Sequence, residues 1–190
     1  MNLHKLIKNL FNDKKPAPRA ITKYNETGFD MINSINSTNP DVVLDLGCGN
    51  NIYKQQIKNL VGVDILDNNL QDVNAPIEQL PFEDNYADVV LALGSINFGD
   101  EKIIDKQLNE VKRVCKNNGL VYFRVMAEHD LEPYYYWTID KVKQKEELYN
   151  FQPVVSPKYI QRTRYPYKEH DIRTGERSLE RIFCIWRVIK

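Results

Sequence analysis

The sequence predicts a single three-layer α/β domain, built on a doubly wound and mostly parallel sheet with an antiparallel C-terminal hairpin. Three observations predict this fold. From residue 41 onward, short β-rich apolar runs alternate with helix-like segments and loops, an order typical of parallel sheets covered on both faces. The last two β-rich runs, 154–165 and 181–189, flank a polar stretch around Gly175, as in a hairpin. The 190 residues suit one hydrophobic core, so we treat 1–190 as one domain.

Two helices are predicted before the sheet, within residues 1–39. Apolar side chains recur at helical spacing near the N terminus, at Leu3, Leu6, Ile7, Leu10 and Phe11. Two lysines and two prolines in residues 13–18 end this amphipathic helix, and a second helix runs towards Ile35. A basic amphipathic N terminus can also lie on a membrane surface. This one is short and weakly charged, so we favour packing on its own domain.

Three apolar runs predict the buried strands at the centre of the sheet. They cover residues 42–44, 59–65 and 87–93, and continuous runs of this kind are typical of parallel strands with both faces covered. The chain between Asp64 and Asp72 is far shorter than the dozen or so residues that a helical crossover requires. We therefore expect the helix between the second and third strands to be missing or reduced to a turn, and the third strand to be short.

The clearest helical pattern lies in residues 101–116. An apolar stripe runs along it at spacings of four, three and four, through Ile104, Leu108, Val111 and Cys115. Asp100 is placed to cap the first turn. Asn118 and Gly119 predict a left-handed end, followed by a strand over 120–126.

Composition argues against several classes of partner. Lysine plus arginine and aspartate plus glutamate number 26 each, so no net charge draws the chain to nucleic acid or to anionic membrane. The three cysteines are far apart and odd in number, which suggests neither a disulfide framework nor a zinc site. We therefore expect no metal and a reducing, cytoplasmic location. No apolar run approaches the roughly 18 residues that span a bilayer.

The stretch VVLDLGCGNN gives the first indication of a ligand site. A buried strand runs into Gly47 and Gly49, and a short helix is expected to begin near Ile52. Because glycine has no Cβ, such a pair lets the backbone turn sharply and lie against a ligand at the carboxyl edge of the sheet. The pair alone is weak evidence, since a tight strand-to-helix turn also needs glycine.

An acid at the end of the next predicted strand strengthens the case. Asp64 stands 17 positions after Gly47, near the roughly twenty-residue offset at which a carboxylate meets ribose hydroxyls. A dinucleotide site would also need glycine at position 52, where this chain has Ile52. The pattern therefore favours a ligand that has a ribose and no pyrophosphate.

These residues together resemble a known family. Asp45, Gly47 and Gly49 are similar to the glycine-rich motif of the class I S-adenosylmethionine-dependent methyltransferases, and Asp64 is similar to their ribose-binding acid. The stretch IEQLPFEDNYADVVLALGSINF resembles the family's segment of LPF, acid and strand, so the resemblance covers residues 41–126. It implies a Rossmann-like, seven-stranded sheet with a reversed final strand. It also implies S-adenosyl-L-methionine as cofactor and methyl transfer as activity.

Carried onto this sequence, the resemblance implies a set of cofactor-binding residues. The glycine loop would meet the methionine part of the cofactor, Asp45 its ammonium or a water, and Asp64 the ribose. Residues within 72–78 would edge the adenine, and the end of the fourth strand would lie beside the reacting sulfur. Asn51 stands where the family usually has a third glycine. The full set is Asp45, Gly47, Cys48, Gly49, Asn51, Asp64, Ile65, Asp72, Ile77, Glu78, Leu93 and Gly94.

The acceptor side is expected in residues 127–190, after a cofactor-binding half in 40–126. The stretch LALGSINF lacks the Asn/Asp-Pro-Pro-aromatic signature of many methyltransferases that act on adenine or glutamine, so we favour a small-molecule acceptor. His129 is the candidate base, because imidazole titrates near neutrality, although a structural histidine is the alternative. The aromatic residues 134–137 either stack on an acceptor or pack against the next helix.

Two alternatives stay open at the level of sequence. Residues 158–173 interleave basic and aromatic side chains, which suits nucleic acid, but nearby acids neutralise much of that charge and favour a solvated edge hairpin. The chain is either an active methyltransferase or a non-catalytic relative that binds S-adenosylmethionine or serves as a partner protein, as Asn51 and the short crossover would allow. The sequence identifies neither the acceptor nor the oligomeric state.

Overall fold

The computed structural model describes residues 3–12, 30–66, 70–128, 133–161 and 180–190. The helices formed by these residues are α1 (Leu3–Asn12), α2 (Met31–Ser37), α3 (Glu101–Val114) and α4 (Ile139–Tyr149). The strands are β1 (Val43–Leu46), β2 (Leu60–Asp64), β3 (Val73–Asn74), β4 (Ala87–Leu93), β5 (Cys115–Met126), β6 (Phe151–Gln161) and β7 (Glu180–Val188).

The described strands join one sheet in the order β3-β2-β1-β4-β5-β7-β6. Neighbouring strands from β3 to β5 run parallel, whereas β7 is antiparallel to both β5 and β6. This confirms the predicted mostly parallel sheet with an antiparallel C-terminal hairpin. The chain passes from β1 to β2 on one side and later reaches β4 on the other. A crevice therefore opens at the carboxyl ends of β1 and β4, where ligands bind in sheets of this kind.

Helices cover both faces of the sheet, and each face has its own core. On one face, Leu108 of α3 and Val142 of α4 pack against strand side chains such as Phe123. On the other face, Ile35 of α2 packs in a second cluster that includes Tyr122 of β5. The predicted three-layer arrangement is confirmed.

Helix α3 begins as its sequence predicts but ends earlier. The Asp100 carboxylate accepts a hydrogen bond from the Ile103 amide at 3.0 Å, which caps the first turn. The helix stops at Val114, so its predicted continuation to residue 116 is wrong. The reason is that Cys115 already pairs with Ala87 of β4, and the residues between Cys115 and Leu120 form an irregularity in the strand.

The segment after the glycine loop forms turns, and the predicted helix near Ile52 is absent from residues 50–57. The backbone makes bonds of the i,i+3 type, from Lys54 N–H to Asn51 O at 3.1 Å and from Gln56 N–H to Tyr53 O at 2.9 Å. Asn51 has a φ of 50°, a left-handed conformation that interrupts a right-handed helix at the point where it would start.

The connection from β2 to β3 is short, as predicted. Its described parts, 65–66 and 70–72, contain no helix, and β3 has two residues. Two parallel pairs join the strands, Val63 with Val73 and Asp64 with Asn74. The predicted short third strand is therefore confirmed.

Candidate functional site

The loop that follows β1 requires glycine at its first position for two reasons. Gly47 has a φ of 72°, and a Cβ placed on it would lie 2.4 Å from the Cβ of Ser95, which follows β4. The Gly47 amide donates to Val63 O of β2 at 2.7 Å. The loop is thus pressed between the ends of β2 and β4, as close packing at the centre of the sheet demands.

The second glycine has the opposite surroundings. Gly49 also has a positive φ, of 55°, but no atom of the described residues lies within 4 Å of a Cβ built on it. Among the described residues, none therefore packs against this side of the Gly49 backbone. The described residues thus leave room for a ligand at the Gly49 main chain, and the contact that the sequence predicts there stays a prediction.

The carboxylate of Asp64 lies directly beside this open backbone. Its Oδ2 accepts the Gly49 amide at 2.7 Å, and its Oδ1 accepts the Leu66 amide at 2.8 Å. A carboxylate has about four lone-pair positions, so two hydrogen bonds leave acceptor capacity for a diol. The two strand ends that the sequence predicted to share a ligand are therefore in contact.

Asp45 supplies a buried acid beneath the loop. Its side chain lies on β1 and is 3% exposed. Burial, followed by the negative charge of Asp64, raises the pKa of Asp45 to about 7, against a smaller opposing effect of the Arg124 cation. Acids with perturbed pKa values of this kind cluster at functional sites.

Asn51 stands where a third glycine was expected, and its side chain does not occupy the space beside Gly49. Its side chain lies against Gly62 of β2, where an added Cβ would come within 2.6 Å of the Asn51 amide nitrogen. That nitrogen donates to Leu70 O at 2.8 Å. The glycine in β2 thus makes room for the side chain that the loop position introduces.

The end of β4 completes the crevice. Gly94 has a φ of 105°, and its carbonyl accepts the Asn97 side-chain amide at 2.8 Å. Asn97 in turn accepts the Met126 amide of β5 at 2.8 Å, so one buried side chain fixes both strand ends. The Leu93 carbonyl accepts a hydrogen bond from Nη2 of Arg124 at 2.7 Å.

Sequence reasoning missed Asn97 and Arg124 as members of this crevice. Arg124 carried a signal, because it is a lone cation within the apolar run VYFRVM of β5. Asn97 carried none, since an asparagine after a strand usually indicates only a turn.

Comparison with known proteins agrees with this geometry. The profile of a family described as a methyltransferase domain matches residues 44–123, from β1 to the middle of β5. The central part of the chain is thus similar to a methyltransferase domain, and the fold is shared with methyltransferases of known structure.

Three known proteins are similar to this chain. The N-methyltransferase NodS of Bradyrhizobium japonicum, solved with S-adenosyl-L-homocysteine, shares 10% identity over 99% of this chain and 98% of its own, with a TM-score of 0.67. The 1,6-didemethyltoxoflavin-N1-methyltransferase of Burkholderia thailandensis, with its substrate and S-adenosylhomocysteine bound, shares 15% identity over 84% of this chain and 76% of its own, with a TM-score of 0.63. The uncharacterized protein MJ1252 of Methanocaldococcus jannaschii is 31% identical over 112 residues, 54% of this chain. That match spans 42% of MJ1252, so this chain aligns with less than half of that relative.

In this chain, the three residues expected near the adenine are engaged within the protein. Asp72 Oδ2 accepts the Gly62 amide at 2.7 Å and the Lys54 ammonium at 2.8 Å. Partial burial would raise the pKa of Asp72, but the Lys54 and Gly62 hydrogen bonds lower it overall. Ile77 is buried in the core. Glu78 contacts His4 of α1 and lies 3.4 Å from the Gln107 side-chain nitrogen. An adenine contact stays a prediction for these residues.

Two other members of the predicted set flank the loop. Cys48 is buried, and its burial, together with the charges of Asp45 and Asp64, raises the pKa of its thiol well above the ordinary range. Ile65 follows Asp64 at the end of β2 and is half-buried. Cys48 therefore contributes its backbone and its bulk, without thiolate chemistry.

On the acceptor side, the candidate base His129 lies outside the described residues. The loops after β4 and β5 are joined by hydrogen bonds from Gly99 N–H to Pro133 O at 2.8 Å and from Tyr135 N–H to Asn97 O at 2.7 Å. Trp137 is fully buried and donates through Nε1 to Ile96 O at 2.9 Å. Of the two interpretations of residues 134–137, packing therefore holds for Trp137 and for the buried Tyr135, whereas Tyr136 is exposed.

Most of the basic and aromatic stretch 158–173 also lies outside the described residues, which include only its first four positions at the end of β6. There the Tyr159 hydroxyl donates to Glu128 at 2.8 Å. The described residues hold no cluster of acids, histidines and cysteines suited to a metal ion. None of the helices in the described ranges is long and apolar enough to cross a bilayer.

Proposed function

We propose that this chain binds S-adenosyl-L-methionine across the carboxyl ends of β1, β2 and β4 and transfers its methyl group to a small molecule. The observation that carries the proposal is the direct contact between the open backbone at Gly49 and the carboxylate of Asp64. That arrangement offers bare backbone for the methionine chain of the cofactor and an acceptor for its ribose hydroxyls in one place.

The residues of the crevice suit the chemical parts of this cofactor. Asp64 would accept the ribose diol, and Gly47 to Gly49 would lie along the methionine chain. Asp45 would hold the ammonium, directly or through a water. The bound cofactor would supply a sulfonium-activated methyl group, which needs no metal and no covalent help from the protein.

Methyl transfer by this chain would then depend mainly on alignment. An in-line displacement gains about 7 to 11 kcal/mol from holding donor and acceptor in a reactive geometry. The loops after β4 and β5, which hydrogen bonds join at Gly99 and Tyr135, are placed to hold an acceptor and exclude water. A base is needed only if the acceptor must lose a proton, and His129 remains our candidate for that role.

The acceptor class follows from the site and from the relatives. The chain lacks the Asn/Asp-Pro-Pro-aromatic signature after β4, and NodS and the toxoflavin enzyme are N-methyltransferases, the latter with a small heterocycle bound. We therefore favour a small-molecule acceptor over nucleic acid. The three buried, unpaired cysteine thiols suit a reducing compartment, so we place the activity in the cytoplasm.

Two measurements test the proposal in sequence. Isothermal titration with S-adenosylmethionine and S-adenosylhomocysteine should give saturable heat for both ligands. Incubation with methyl-tritiated S-adenosylmethionine and a panel of small amines, phenols and carboxylic acids should then move label into product. No heat with either ligand would refute the cofactor assignment. Binding without transfer to any acceptor would support the non-catalytic alternative.

A further inference from the structure

One lysine of α4 lies buried between α4 and α3. Lys145 is 4% exposed, and its ammonium contacts the carboxylates of Glu101 and Asp105, that of Asp105 at 2.5 Å. These two acids stand four residues apart at the start of α3, so their charges would repel each other without a shared cation. Burial would lower the pKa of Lys145, but the hydrogen bonds to Asp105 and Glu101 raise it overall, so the cation is retained at neutral pH.

The carboxylate of Glu101 also holds the loop that follows β5. It accepts a hydrogen bond from the hydroxyl of Tyr135. Tyr135 is buried, whereas the side chain of Glu101 is 59% exposed. A glutamate side chain with that exposure ordinarily samples several rotamers. Its contact with Lys145 therefore keeps Glu101 within reach of the Tyr135 hydroxyl.

A second lysine of α4 contacts the same tyrosine. The ammonium of Lys141, one helical turn before Lys145, lies 4.4 Å from the centroid of the Tyr135 ring. This distance is typical of a cation–π contact. Helix α4 thus holds Tyr135 at two points, through its ring and, by way of Glu101, through its hydroxyl.

The backbone of Tyr135 continues the connection to the crevice. Its amide donates to Asn97 O at 2.7 Å, and the side-chain amide of Asn97 donates to Gly94 O at 2.8 Å. Gly94 follows β4, where the reacting sulfur is expected. A contiguous series of hydrogen bonds therefore leads from the middle of α4 to the end of β4.

The charge at this position needs an explanation beyond helix packing. Apolar side chains of similar volume join two helices as well as a buried ion pair does, or better. Charged hydrogen bonds are directional, however, and can fix one geometry where apolar contacts allow several. The geometry fixed here is that of Glu101 and, through it, of Tyr135.

We propose that Lys145 is a positioning residue for methyl transfer, which acts through Glu101 to hold Tyr135 and the loop over 133–137 where the acceptor binds. This inference rests on the proposed function and adds to it a residue of α4 that lies outside the crevice. A misplacement of about 1 Å can lower a rate about 100-fold, so a small shift of this loop would be visible in the kinetics.

The test compares Lys145→Met with the wild type in three measurements. Transfer from methyl-tritiated S-adenosylmethionine is followed with the amine, phenol or carboxylic acid that the wild type labels fastest. We expect kcat/KM for that acceptor to fall about 10- to 100-fold, and isothermal titration to give an affinity for S-adenosylhomocysteine within about twofold of wild type. In hydrogen exchange, the Tyr135 amide should exchange at least about tenfold faster, whereas the Gly47 amide, which donates to Val63 O, should keep its wild-type rate.

Two further variants separate positioning from stability. Tyr135→Phe removes only the hydroxyl that Glu101 accepts, so it should reproduce part of the kinetic loss. In the double variant with Lys145→Met, the loss should be smaller than the product of the two single losses, because both act through one contact. Tyr149→Phe is the matched control, since the Tyr149 hydroxyl donates to Asp105 at 2.8 Å. It should lower the urea midpoint and leave kcat/KM unchanged.

Several results would overturn the inference. Unchanged kcat/KM in Lys145→Met and Tyr135→Phe would do so, and an equal loss in Tyr149→Phe would show a general effect of stability. A matching loss of S-adenosylhomocysteine affinity in Lys145→Met would place the effect on the cofactor half. If Lys145→Met does not fold, Tyr135→Phe still decides, because it keeps every charge.

Failure of the proposed function itself would look different. A wild type that binds S-adenosylhomocysteine and labels no acceptor would refute the transfer step, and with it the reaction that Lys145 is proposed to serve. A wild type that gives no heat with S-adenosylhomocysteine or S-adenosylmethionine would refute the cofactor assignment.

Discussion

Each edge of the sheet holds a partly or fully buried aspartate, and the pKa values of the two carboxyls are shifted in opposite directions. At the amino edge, Asp88 of β4 accepts the Val42 amide at 2.9 Å and the Lys116 ammonium at 2.6 Å. Burial would raise the pKa of Asp88, but the hydrogen bonds from Lys116 and Val42 lower it overall. At the carboxyl edge, burial and the charge of Asp64 raise the pKa of Asp45 to about 7.

The two aspartates therefore differ in what their charge does: that of Asp88 stabilises the fold, whereas that of Asp45 is proposed to serve ligand binding. The ionised form of Asp88 is favoured, because the groups that donate hydrogen bonds to its carboxylate belong to the folded protein. Asp45 is held in an environment that disfavours its charge, as acids in binding sites often are. The amino edge should therefore respond to substitution through stability, and the carboxyl edge through ligand affinity.

We expect the largest effect from a substitution at Gly47, which is packed closely against the ends of both β2 and β4. Gly47→Ala adds a methyl group 2.4 Å from Ser95 Cβ at a positive φ of 72°. We expect a loss of about 2 to 4 kcal/mol of unfolding free energy from overpacking and left-handed strain, together with loss of S-adenosylhomocysteine binding. Urea denaturation and isothermal titration measure the two effects.

Two further variants make this prediction specific. Adding Ser95→Gly to Gly47→Ala should recover part of the stability, because it removes the clashing Cβ. Gly119→Ala, whose Cβ would meet Asp88 O at 2.9 Å at the amino edge, should lower stability and leave the affinity of the folded protein unchanged. Loss of binding in Gly119→Ala would contradict the division between the edges.

The next largest effects are expected from substitutions of Asp64 and Asp88, one aspartate at each edge of the sheet. Asp64→Ala should weaken S-adenosylhomocysteine binding about 10- to 100-fold, equivalent to about 1.5 to 3 kcal/mol for hydrogen bonds to a charged group. Asp88→Ala should leave the affinity unchanged and lower the unfolding free energy by about 1 kcal/mol, because Val42 and Lys116 lose their acceptor. Calorimetric titration and urea denaturation of both variants give the four values. Equal affinities of the two variants for S-adenosylhomocysteine would contradict the assignment of Asp64 to the ribose.

Features of the fold that are set by residues close in the chain could be predicted from the sequence. The glycine loop and Asp64 could be predicted because a bare backbone and a strand-end acid leave a direct pattern, and parallel neighbours bring their carboxyl ends together. The length of the connection after Asp64 predicted a missing helix and a short third strand for a similar reason, since a short chain has no room for a helix, and β3 has two residues.

Features that depend on long-range packing were out of reach of the sequence. The helix expected at Ile52 is replaced by turns after the left-handed Asn51, whose side chain fits only because Gly62 of the neighbouring strand has no Cβ. The early end of α3 likewise depends on the pairing of Cys115 with Ala87, 28 residues back in the chain. Arg124 likewise reaches the end of β4 only through its hydrogen bond to Leu93 O on a different strand.

The ionisation of Asp45 sharpens the comparison through pH. The acid must be ionised to hold an ammonium, so binding below its pKa of about 7 requires loss of a proton. The affinity for S-adenosylhomocysteine should fall by up to about tenfold per pH unit below pH 7 and level off above it. Titrations from pH 6 to 8 measure this dependence. Asp45→Asn should bind more weakly and show little of it; an equally steep dependence in that variant would assign the proton to another group.

The smallest effect is on the stability of the ligand-free protein. Its unfolding free energy should fall as the pH rises, whereas the ligand affinity should increase. The folded-state pKa of Asp45 is raised, so its contribution to stability is fully present below the unfolded value of about 4 and is lost as pH rises towards 7. Glu146 acts in the same direction, because burial raises its pKa despite the hydrogen bond from Trp186. The lowered pKa of Asp88 acts only below about pH 4, where protonation removes its contribution.

Between pH 5 and 7 we therefore expect unfolding free energy, measured in urea, to fall with pH by about 1 kcal/mol per unit at most for each raised acid. Asp45→Asn and Glu146→Gln should each remove part of the slope, and saturating S-adenosylhomocysteine should remove the part due to Asp45. A wild-type curve that rises over this interval would show that Asp45 is already ionised in the free protein, and the contrast between the two edges would then rest on geometry alone.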